Sequence, residues 1–293
     1  MRIAVTRRIP DEGLRILADA ADVLLWEDSL PPTREDLIGL ARDADGLLSL
    51  LTDRIDHERL DQLPRLRAVS NMAVGYDNID LDACTSHGVA VCTTPDVLTE
   101  TTADFTFALM LAAARRLTEA ADAARRGDWR TWEPMGYLGT DIHSAALGII
   151  GMGRIGTAVA RRAAGFGMRI RYTSRSPRAV PNAEPVPMET LLSASDFVSL
   201  HVPLGPETTG LIDRRALSLM RPSAILVNTS RGPVVDTDSL TDPLRRRRIR
   251  YRDRQGDRLP RRGRRPGLVD RRAPARPHRR GCARRDRPRA VAA

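Results

Sequence analysis

A run of apolar residues, 146–150, leads directly into the glycine-rich turn formed by Gly151, Gly153 and Gly156. From Arg154 onward the apolar residues recur at helical spacing, so the turn joins a buried strand to an amphipathic helix. In that setting the glycines allow a tight turn, a close approach of a pyrophosphate to the backbone, and close packing of helix on strand. The helix N-terminus then binds a dinucleotide; the alternative is a βα turn without a ligand. The predicted cofactor contacts here are Gly151, Gly153, Arg154, Ile155 and Gly156.

Short apolar runs alternate with helical patterns throughout residues 1–244. Near-continuous apolar strands separated by helices are typical of parallel α/β sheets. A helix-rich stretch, 99–126, separates a first series of such units from a second that begins near residue 145. We therefore predict an α/β protein with two Rossmann-like parallel-sheet domains. They span residues 1–98 and 99–244, and the glycine-rich turn makes the second the dinucleotide-binding domain.

The formal net charge of +10 is a poor guide to binding partners, because the charge is unevenly placed. In residues 245–293, 21 of 49 residues are Arg and four are Asp, whereas residues 1–244 carry a net charge of −7. The body is thus mildly acidic and does not predict a nucleic-acid partner. The tail is rich in Arg, Pro and Gly and almost lacks aliphatic residues, which predicts an aberrant, disordered segment over 245–293.

Cysteine usage and hydropathy bear on localisation. Cys84, Cys92 and Cys282 show neither metal-ligand spacing nor an evident pairing, which fits a reducing cytoplasm. The N-terminus has the pattern of a strand and not that of a signal peptide. The longest apolar stretch, residues 105–114, is too short to span a bilayer. We therefore expect a cytoplasmic protein without a membrane partner.

The residues after the strand predicted at 168–172 decide whether the chain prefers NAD(H) or NADP(H). An NAD enzyme places an acidic residue near position 174 to hold the ribose 2′-hydroxyl, whereas this chain has Ser174, Arg175 and Ser176, with Arg178 nearby. A guanidinium and hydroxyl groups suit a 2′-phosphate. The sequence therefore predicts NADP(H), with NAD(H) still possible. The alternative is that Arg175 is simply a solvated cation in a loop.

Two further segments could bind an anion. Arg231 follows a predicted buried strand and a short turn that carries hydroxyl groups. A guanidinium there can hold a carboxylate through two hydrogen bonds and polarise an adjacent carbonyl; a surface Arg capping a helix is the alternative. Residues 71–78 form a loop that is either an anion-binding nest around Gly75 or an ordinary turn. Among the histidines before the tail, His201 ends a strand near the expected nicotinamide pocket, and none has an evident carboxylate partner.

Together these segments resemble the D-isomer-specific 2-hydroxyacid dehydrogenases, close to the glyoxylate/hydroxypyruvate reductase branch. The resemblance rests on NMAVGYDNID (71–80), TTPDVLTETTADFTFALMLAAARR (93–116), LGIIGMGRIG (147–156), LHVPLGPETTGLI (200–212) and ILVNTSRGPVVD (225–236). It implies a homodimeric oxidoreductase that interconverts small 2-keto acids and D-2-hydroxy acids. It also implies that residues 1–98 form a flavodoxin-like substrate domain. It also implies that the amides of Val74 and Gly75 hold the substrate carboxylate and that Arg231 is catalytic. The cofactor would be lined by Val202, Pro203, Thr229 and Ser230.

The same resemblance implies a catalytic Glu and a catalytic His C-terminal to that Arg, and here the chain departs from the family. No Glu follows Glu207, Pro260 stands where the Glu is expected, and His278 lies in an Arg-rich setting. One permissible coding of residues 283–293, read without its first base, gives LDVTDPEPLP, which resembles the missing segment. We infer a frameshift after about Leu244 that impairs the enzyme and leaves a tail ending before the family His. The alternative is a non-catalytic nucleotide- or nucleic-acid-binding protein that uses the Arg-rich tail.

Overall fold

A computed structural model of the chain describes residues 1–176, 178–245 and 250–253. Residues Met1–Pro260 form one compact unit. Residues Arg261–Ala293, a second unit, lie outside the described part of the chain, as do residues 246–249 and 254–260. Most of the segment for which the composition predicts disorder therefore falls outside the described residues.

The N-terminal part is a parallel sheet flanked by short helices. Its elements are β1 (Arg2–Val5), α1 (Asp11–Ala20), β2 (Asp22–Leu25), α2 (Arg34–Ala41), β3 (Gly46–Ser49), α3 (His57–Leu60), β4 (Ala68–Asn71), α4 (Leu81–Ser86) and β5 (Ala90–Cys92). The strand order is β2-β1-β3-β4-β5, and every neighbouring pair is parallel. This is the flavodoxin-like order, as predicted. Leu47 and Val69 on the central strands pack with Leu37, Leu60 and Cys84 from the helices to form its core.

Two helices, α5 (Thr99–Ala114) and α6 (Leu117–Arg126), connect this sheet to the second one. They are separate because Arg116 has a φ of 53°, the left-handed conformation, which ends the first helix. Phe107 and Met110 of α5 are buried in the core of the second sheet, beside Leu147 and Val159. This helix therefore packs as part of the second sheet's hydrophobic core.

The second sheet has six parallel strands. Its elements are β6 (Ala146–Ile150), α7 (Arg154–Gly165), β7 (Arg169–Thr173), β8 (Ala183–Pro185), α8 (Met188–Ala194), β9 (Phe197–Leu200), α9 (Arg214–Leu219), β10 (Ile225–Asn228), a 3₁₀ turn (Gly232–Val234), α10 (Thr237–Arg245) and β11 (Arg250–Asp253). The order is β11-β10-β9-β6-β7-β8. Every residue of β6, β9 and β10 is buried because helices cover both faces, which explains the unbroken apolar runs in the sequence.

The structure differs from the sequence-based expectation at residues 250–253. Composition predicts disorder there, yet the segment forms β11, whose residues Arg250 to Asp253 pair in parallel with Ile225 to Asn228 of β10. The exposed edge of a strand offers backbone N–H and C=O groups that pair with an extended segment whatever its side chains. Side-chain composition alone therefore misses this strand.

Helix length and polarity also bear on whether the chain could enter a membrane. Within the described part of the chain, no helix combines the length and the apolar character needed to cross a bilayer.

Candidate active site

The residues predicted to bind the cofactor lie at the carboxyl ends of four strands of the second sheet. Gly151–Gly156 follow β6, Ser174–Ser176 follow β7, Val202 and Pro203 follow β9, and Thr229–Arg231 follow β10. Because these strands are parallel, all four segments lie at the same edge of the sheet. In open α/β sheets, ligands bind at that edge.

The turn after β6 has the shape that a phosphate-binding turn requires. Gly151 has a φ of +96°, which side chains other than glycine rarely allow. A Cβ on Gly156 would overlap the carbonyl oxygen of Gly151, so only glycine lets α7 pack this closely. Beside Gly153 there is open space instead, and no side chain caps the N-terminus of α7. The first amides of that helix are thus available to an anion.

The side chain of Arg154 at the start of α7 is directed toward the first part of the chain. Its Nε lies 2.8 Å from Oδ1 of Asp96, and both side chains are largely exposed. Ile155 is partly buried against the hydrophobic core around Leu147.

The loop after β7 carries the two cations expected to select the cofactor. Arg175 is 82 % exposed and lies 3.6 Å from the carboxylate of Glu207, a solvated pair of little strength. Arg178 is held by its backbone: its amide donates to the hydroxyl of Tyr172, and that hydroxyl donates to its carbonyl oxygen at 2.7 Å. Since Tyr172 is buried in β7, the loop returns to the end of that strand.

The turn after β10 is organised by Asn228, a residue to which the sequence assigned no role of its own. Its side-chain oxygen accepts hydrogen bonds from the amide and the hydroxyl of Ser230, and its side-chain nitrogen donates to the carbonyl oxygen of Arg231 at 2.8 Å. The buried Thr229 pairs with the hydroxyl of Thr106 on α5 at 3.0 Å. The hydrogen bonds of Asn228 and Thr229 therefore fix the turn, and with it the backbone position from which the Arg231 side chain extends.

The loop after β4 is fixed by a second asparagine network. The side-chain nitrogen of Asn71 donates to the carbonyl oxygen of Gly75 at 2.9 Å. Asn78 donates to the carbonyl oxygens of Leu50 and Asp53. Within the described residues, no protein acceptor is found for the backbone amides of Val74 and Gly75. These two N–H groups are available to a ligand, as a nest requires.

Arg231 brings the two sheets together at this loop. Its Nε donates to both carboxylate oxygens of Asp77, at 2.9 and 3.2 Å, and its Nη1 donates to the carbonyl oxygen of Ser230. Its Nη2 lies so close to Gly75 that a Cβ there would overlap it. The guanidinium is thus held along one edge by Asp77, and Nη2 lies beside the free amides. Sequence reasoning missed Asp77 because it lies 154 residues from its partner.

His201 lies in the same region but is unsuited to donate a proton. Its Nε2 is buried without a hydrogen-bond partner in the described part of the chain, and its Nδ1 is 3.5 Å from the hydroxyl of Thr229. Burial lowers the pKa of His201 to about 3, so the imidazole is neutral at physiological pH. A neutral imidazole cannot act as the acid that protonates a reacting carbonyl oxygen.

Known proteins similar to this chain are dehydrogenases and reductases. Residues 107–252 match the model of the family described as D-isomer specific 2-hydroxyacid dehydrogenase, NAD binding domain. A glyoxylate reductase of Korarchaeum cryptofilum is 51 % identical over 249 residues, which are 83 % of this chain and 75 % of that enzyme. A solved protein of Thermus thermophilus superposes with a TM-score of 0.82 at 42 % identity, over 89 % of this chain and 84 % of that one. An acyclic imino acid reductase, solved with NADPH and D-Arg, gives a TM-score of 0.78 at 28 % identity, over 86 % and 83 % of the two chains.

Proposed function

The chain belongs to the D-isomer-specific 2-hydroxyacid dehydrogenase family, and from this premise we propose that it reduces a small 2-keto acid to the D-2-hydroxy acid. The glyoxylate reductases among its relatives favour a substrate of the glyoxylate or hydroxypyruvate type. The protein is a nicotinamide-dinucleotide-dependent oxidoreductase. The observation that carries the substrate class is the anion site between the two sheets.

That anion site combines one guanidinium with two unpaired amides. Nη2 of Arg231 lies against Gly75, and the amides of Val74 and Gly75 have no acceptor among the described residues. A carboxylate at this point would accept hydrogen bonds from both amides while its neighbouring carbonyl faces the guanidinium. We propose that Val74 and Gly75 hold the substrate carboxylate and that Arg231 stabilises the negative charge that develops on the carbonyl oxygen.

The second sheet fits a dinucleotide. The N-terminus of α7 is uncapped and the space beside Gly153 is open, so backbone amides can receive a pyrophosphate there. Val202, Pro203, Thr229 and Ser230 lie at the same edge of the sheet and would line the remainder of the cofactor site. A bound nicotinamide would supply the hydride. The protein's own part is to hold the keto acid and to stabilise the charge on its oxygen.

The function is tested by following the oxidation of NADPH in the presence of glyoxylate or hydroxypyruvate. The enzyme used is a version of the chain in which the reading frame is restored after Leu244. We expect turnover with both keto acids, and chiral separation should show only D-glycerate from hydroxypyruvate. If the protein binds NADPH but oxidises it with neither keto acid, the proposed substrate class is wrong.

We propose that NADPH binds more tightly than NADH. Arg175 and Arg178 flank the end of β7, and residues 174–176 include no acidic residue to hold a ribose 2′-hydroxyl, whereas a guanidinium suits a 2′-phosphate. Fluorescence titration of the chain should give a lower Kd for NADPH than for NADH. Arg175→Ala should weaken NADPH binding by about 10-fold and leave the affinity for NADH unchanged, since a hydrogen bond to a charged group contributes roughly 1.5–3 kcal/mol.

A matched control for this titration is Arg15→Ala. Arg15 is an exposed cation on α1 that pairs with Glu12, much as Arg175 pairs with Glu207. Its replacement should change neither affinity. Equal affinities for the two cofactors, unaltered in Arg175→Ala, would show that Arg175 is only a solvated cation.

We propose that the protein is a homodimer whose interface includes the segment between α6 and β6. Trp129, Trp132 and Met135 are 66, 73 and 79 % exposed, and a run of large exposed apolar side chains marks an interaction surface. Sedimentation velocity should show a dimer, and Trp132→Asp should shift it toward monomer. Leu30→Asp, at an equally exposed apolar residue in the first part of the chain, should not. A monomer at all concentrations would contradict the proposal.

We also propose that residues 1–98 bind substrate and that residues 99–244 form the dinucleotide-binding domain. The burial of Phe107 and Met110 against the second sheet supports placing α5 with the latter. A cytoplasmic location is proposed as well, since Cys84 and Cys92 are both free thiols. Cell fractionation would check it.

A further inference from the structure

Three side chains outside the active site converge on the surface of the first sheet's helices. His57 is the first residue of α3, Asp61 follows the end of that helix, and His87 follows the end of α4. Nδ1 of His57 lies 3.1 Å from Oδ2 of Asp61, and Nε2 of His87 lies 2.9 Å from Oδ1 of the same carboxylate. The proposed reduction uses none of them, and no sequence pattern indicates that these histidines share a carboxylate.

The tautomer of His87 follows from its other ring nitrogen. Nδ1 lies 2.8 Å from the backbone carbonyl oxygen of Ala83. A carbonyl can only accept a hydrogen bond, so Nδ1 carries a proton and Nε2 faces the carboxylate of Asp61. Two lone pairs would repel at 2.9 Å, so the two atoms must share a cation: either a proton on Nε2 or a metal ion that lies to one side of the line between them. Histidines that bind metals are oriented in the same way, by a hydrogen bond from the second nitrogen to a backbone carbonyl.

Asp61 presents one carboxylate oxygen to each histidine. The two imidazole rings stand nearly perpendicular, at 83°, with their centroids 4.9 Å apart, so their nitrogens approach the carboxylate from different directions. The arrangement leaves an open side toward solvent, where His57 is 64 % exposed.

We propose that His57, Asp61 and His87 form a binding site for a divalent transition-metal ion, with zinc the best fit. One ligand atom from each residue lies within 4.8 Å of the others. Ligands about 2.0–2.1 Å from zinc in a tetrahedron lie roughly 3.3 Å from one another. Here the two nitrogens lie 3.1 and 2.9 Å from different oxygens of Asp61, so the carboxylate would bind the ion through both of its oxygens. Rotation of the exposed His57 ring would shorten the remaining separation, the one between the ligand nitrogens of His57 and His87. Two imidazoles with a carboxylate suit zinc, copper or nickel rather than magnesium or calcium.

The site lies next to the loop that holds the proposed substrate. The amide of Ile55 donates to the carbonyl oxygen of Asn78, and the amide of Asp80 donates to that of Ile55. These bonds join the segment before α3 to the segment before α4. A metal ion bound by His57, Asp61 and His87 would tie the same two helices together from the outside. Because it binds the folded state, it would raise the thermal midpoint as its concentration rises.

The experiment is a zinc titration of the full chain after treatment with EDTA, by calorimetry and by thermal unfolding. We expect one zinc ion per chain and a rise in Tm. Asp61→Asn and His87→Gln should weaken zinc binding by about 10–100-fold and abolish the rise, while the circular dichroism spectrum without metal stays unchanged. His143→Gln is the matched control, because His143 is an exposed histidine whose Nε2 lies 4.0 Å from Asp141, and this variant should bind zinc as the parent does.

Two results would overturn the proposal. If the variants lose stability equally with and without zinc, the cluster is an ion pair between protonated histidines and Asp61. If zinc binds with undiminished affinity in His87→Gln, it binds elsewhere. Cobalt(II) gives an independent readout, because a site built from His57, Asp61 and His87 lacks the intense charge-transfer absorption of cobalt bound to a cysteine thiolate. Such absorption in the parent, unaltered by Asp61→Asn, would assign the metal to a thiolate instead.

Discussion

Restoring the reading frame after Leu244 is expected to raise the rate of glyoxylate or hydroxypyruvate reduction by about 10²–10⁴-fold over that of the chain with the Arg-rich tail. Reduction of a keto carbonyl places negative charge on its oxygen, which then needs a proton from a nearby acid. Arg231 can stabilise that charge but keeps its own proton at neutral pH. His201 is neutral because burial lowers its pKa to about 3. The restored frame supplies the Glu of LDVTDPEPLP, and the restored version has to be continued until it also includes the His that the family resemblance implies.

The measurement compares NADPH oxidation by the two versions at equal concentration, each checked for NADPH binding. Equal binding with unequal turnover would place the difference in the proton donor and not in the fold. Strong turnover by the chain with the Arg-rich tail, abolished by His278→Ala, would mean that the tail itself provides the acid. That result would make His278 the proton donor and remove the need for a frameshift.

Replacing Arg231 by Ala in the frame-restored version should lower kcat/KM by about 10²–10³-fold, the loss typical of removing a group that stabilises an oxyanion. Arg231→Lys should recover little of the lost kcat/KM. An ammonium is a single point charge, whereas the guanidinium contacts Asp77 through Nε while placing Nη2 beside Gly75. Asp77→Asn, which leaves Arg231 in place but less firmly oriented, should have a smaller effect of about 10-fold in the same measurement.

Arg59→Ala is the matched control for this series. Arg59 and Asp56 form a partly buried pair, 15 and 19 % exposed, comparable to the 21 and 22 % of Arg231 and Asp77. Its loss should reduce stability and leave kcat/KM unchanged. If Arg231→Ala retains more than a third of the parent's kcat/KM, the guanidinium does not stabilise the reacting carbonyl and another group must.

The parts of the fold that could be predicted are those in which a local pattern reports burial. β6 is apolar at every position because both its faces are covered, and Gly151 and Gly156 stand where no side chain fits. The short strand β8 (Ala183–Pro185) escaped prediction, since three residues carry no periodicity. β11 escaped because backbone pairing with β10, and not the character of its side chains, makes it a strand.

The same distinction holds for the candidate site. Arg231 could be anticipated from its place after a strand, but its contact with Asp77 could not, because no local pattern links residues 154 positions apart. Asn228 orders the turn through its side chain, yet it looks like any polar residue at the end of a strand. The pairing of His57 and His87 with Asp61 likewise depends on how α3 packs beside α4.

The contact between Arg231 and Asp77 also has a consequence for the order in which the molecule folds. Closing a loop of that length is entropically unfavourable, and contacts of large sequence separation form late. The hydroxyl pair between Thr106 and Thr229 spans 123 residues and carries the same penalty. Each sheet can therefore assemble from neighbouring strands before the anion site exists. A partly folded chain able to bind a dinucleotide would still be unable to bind the keto acid.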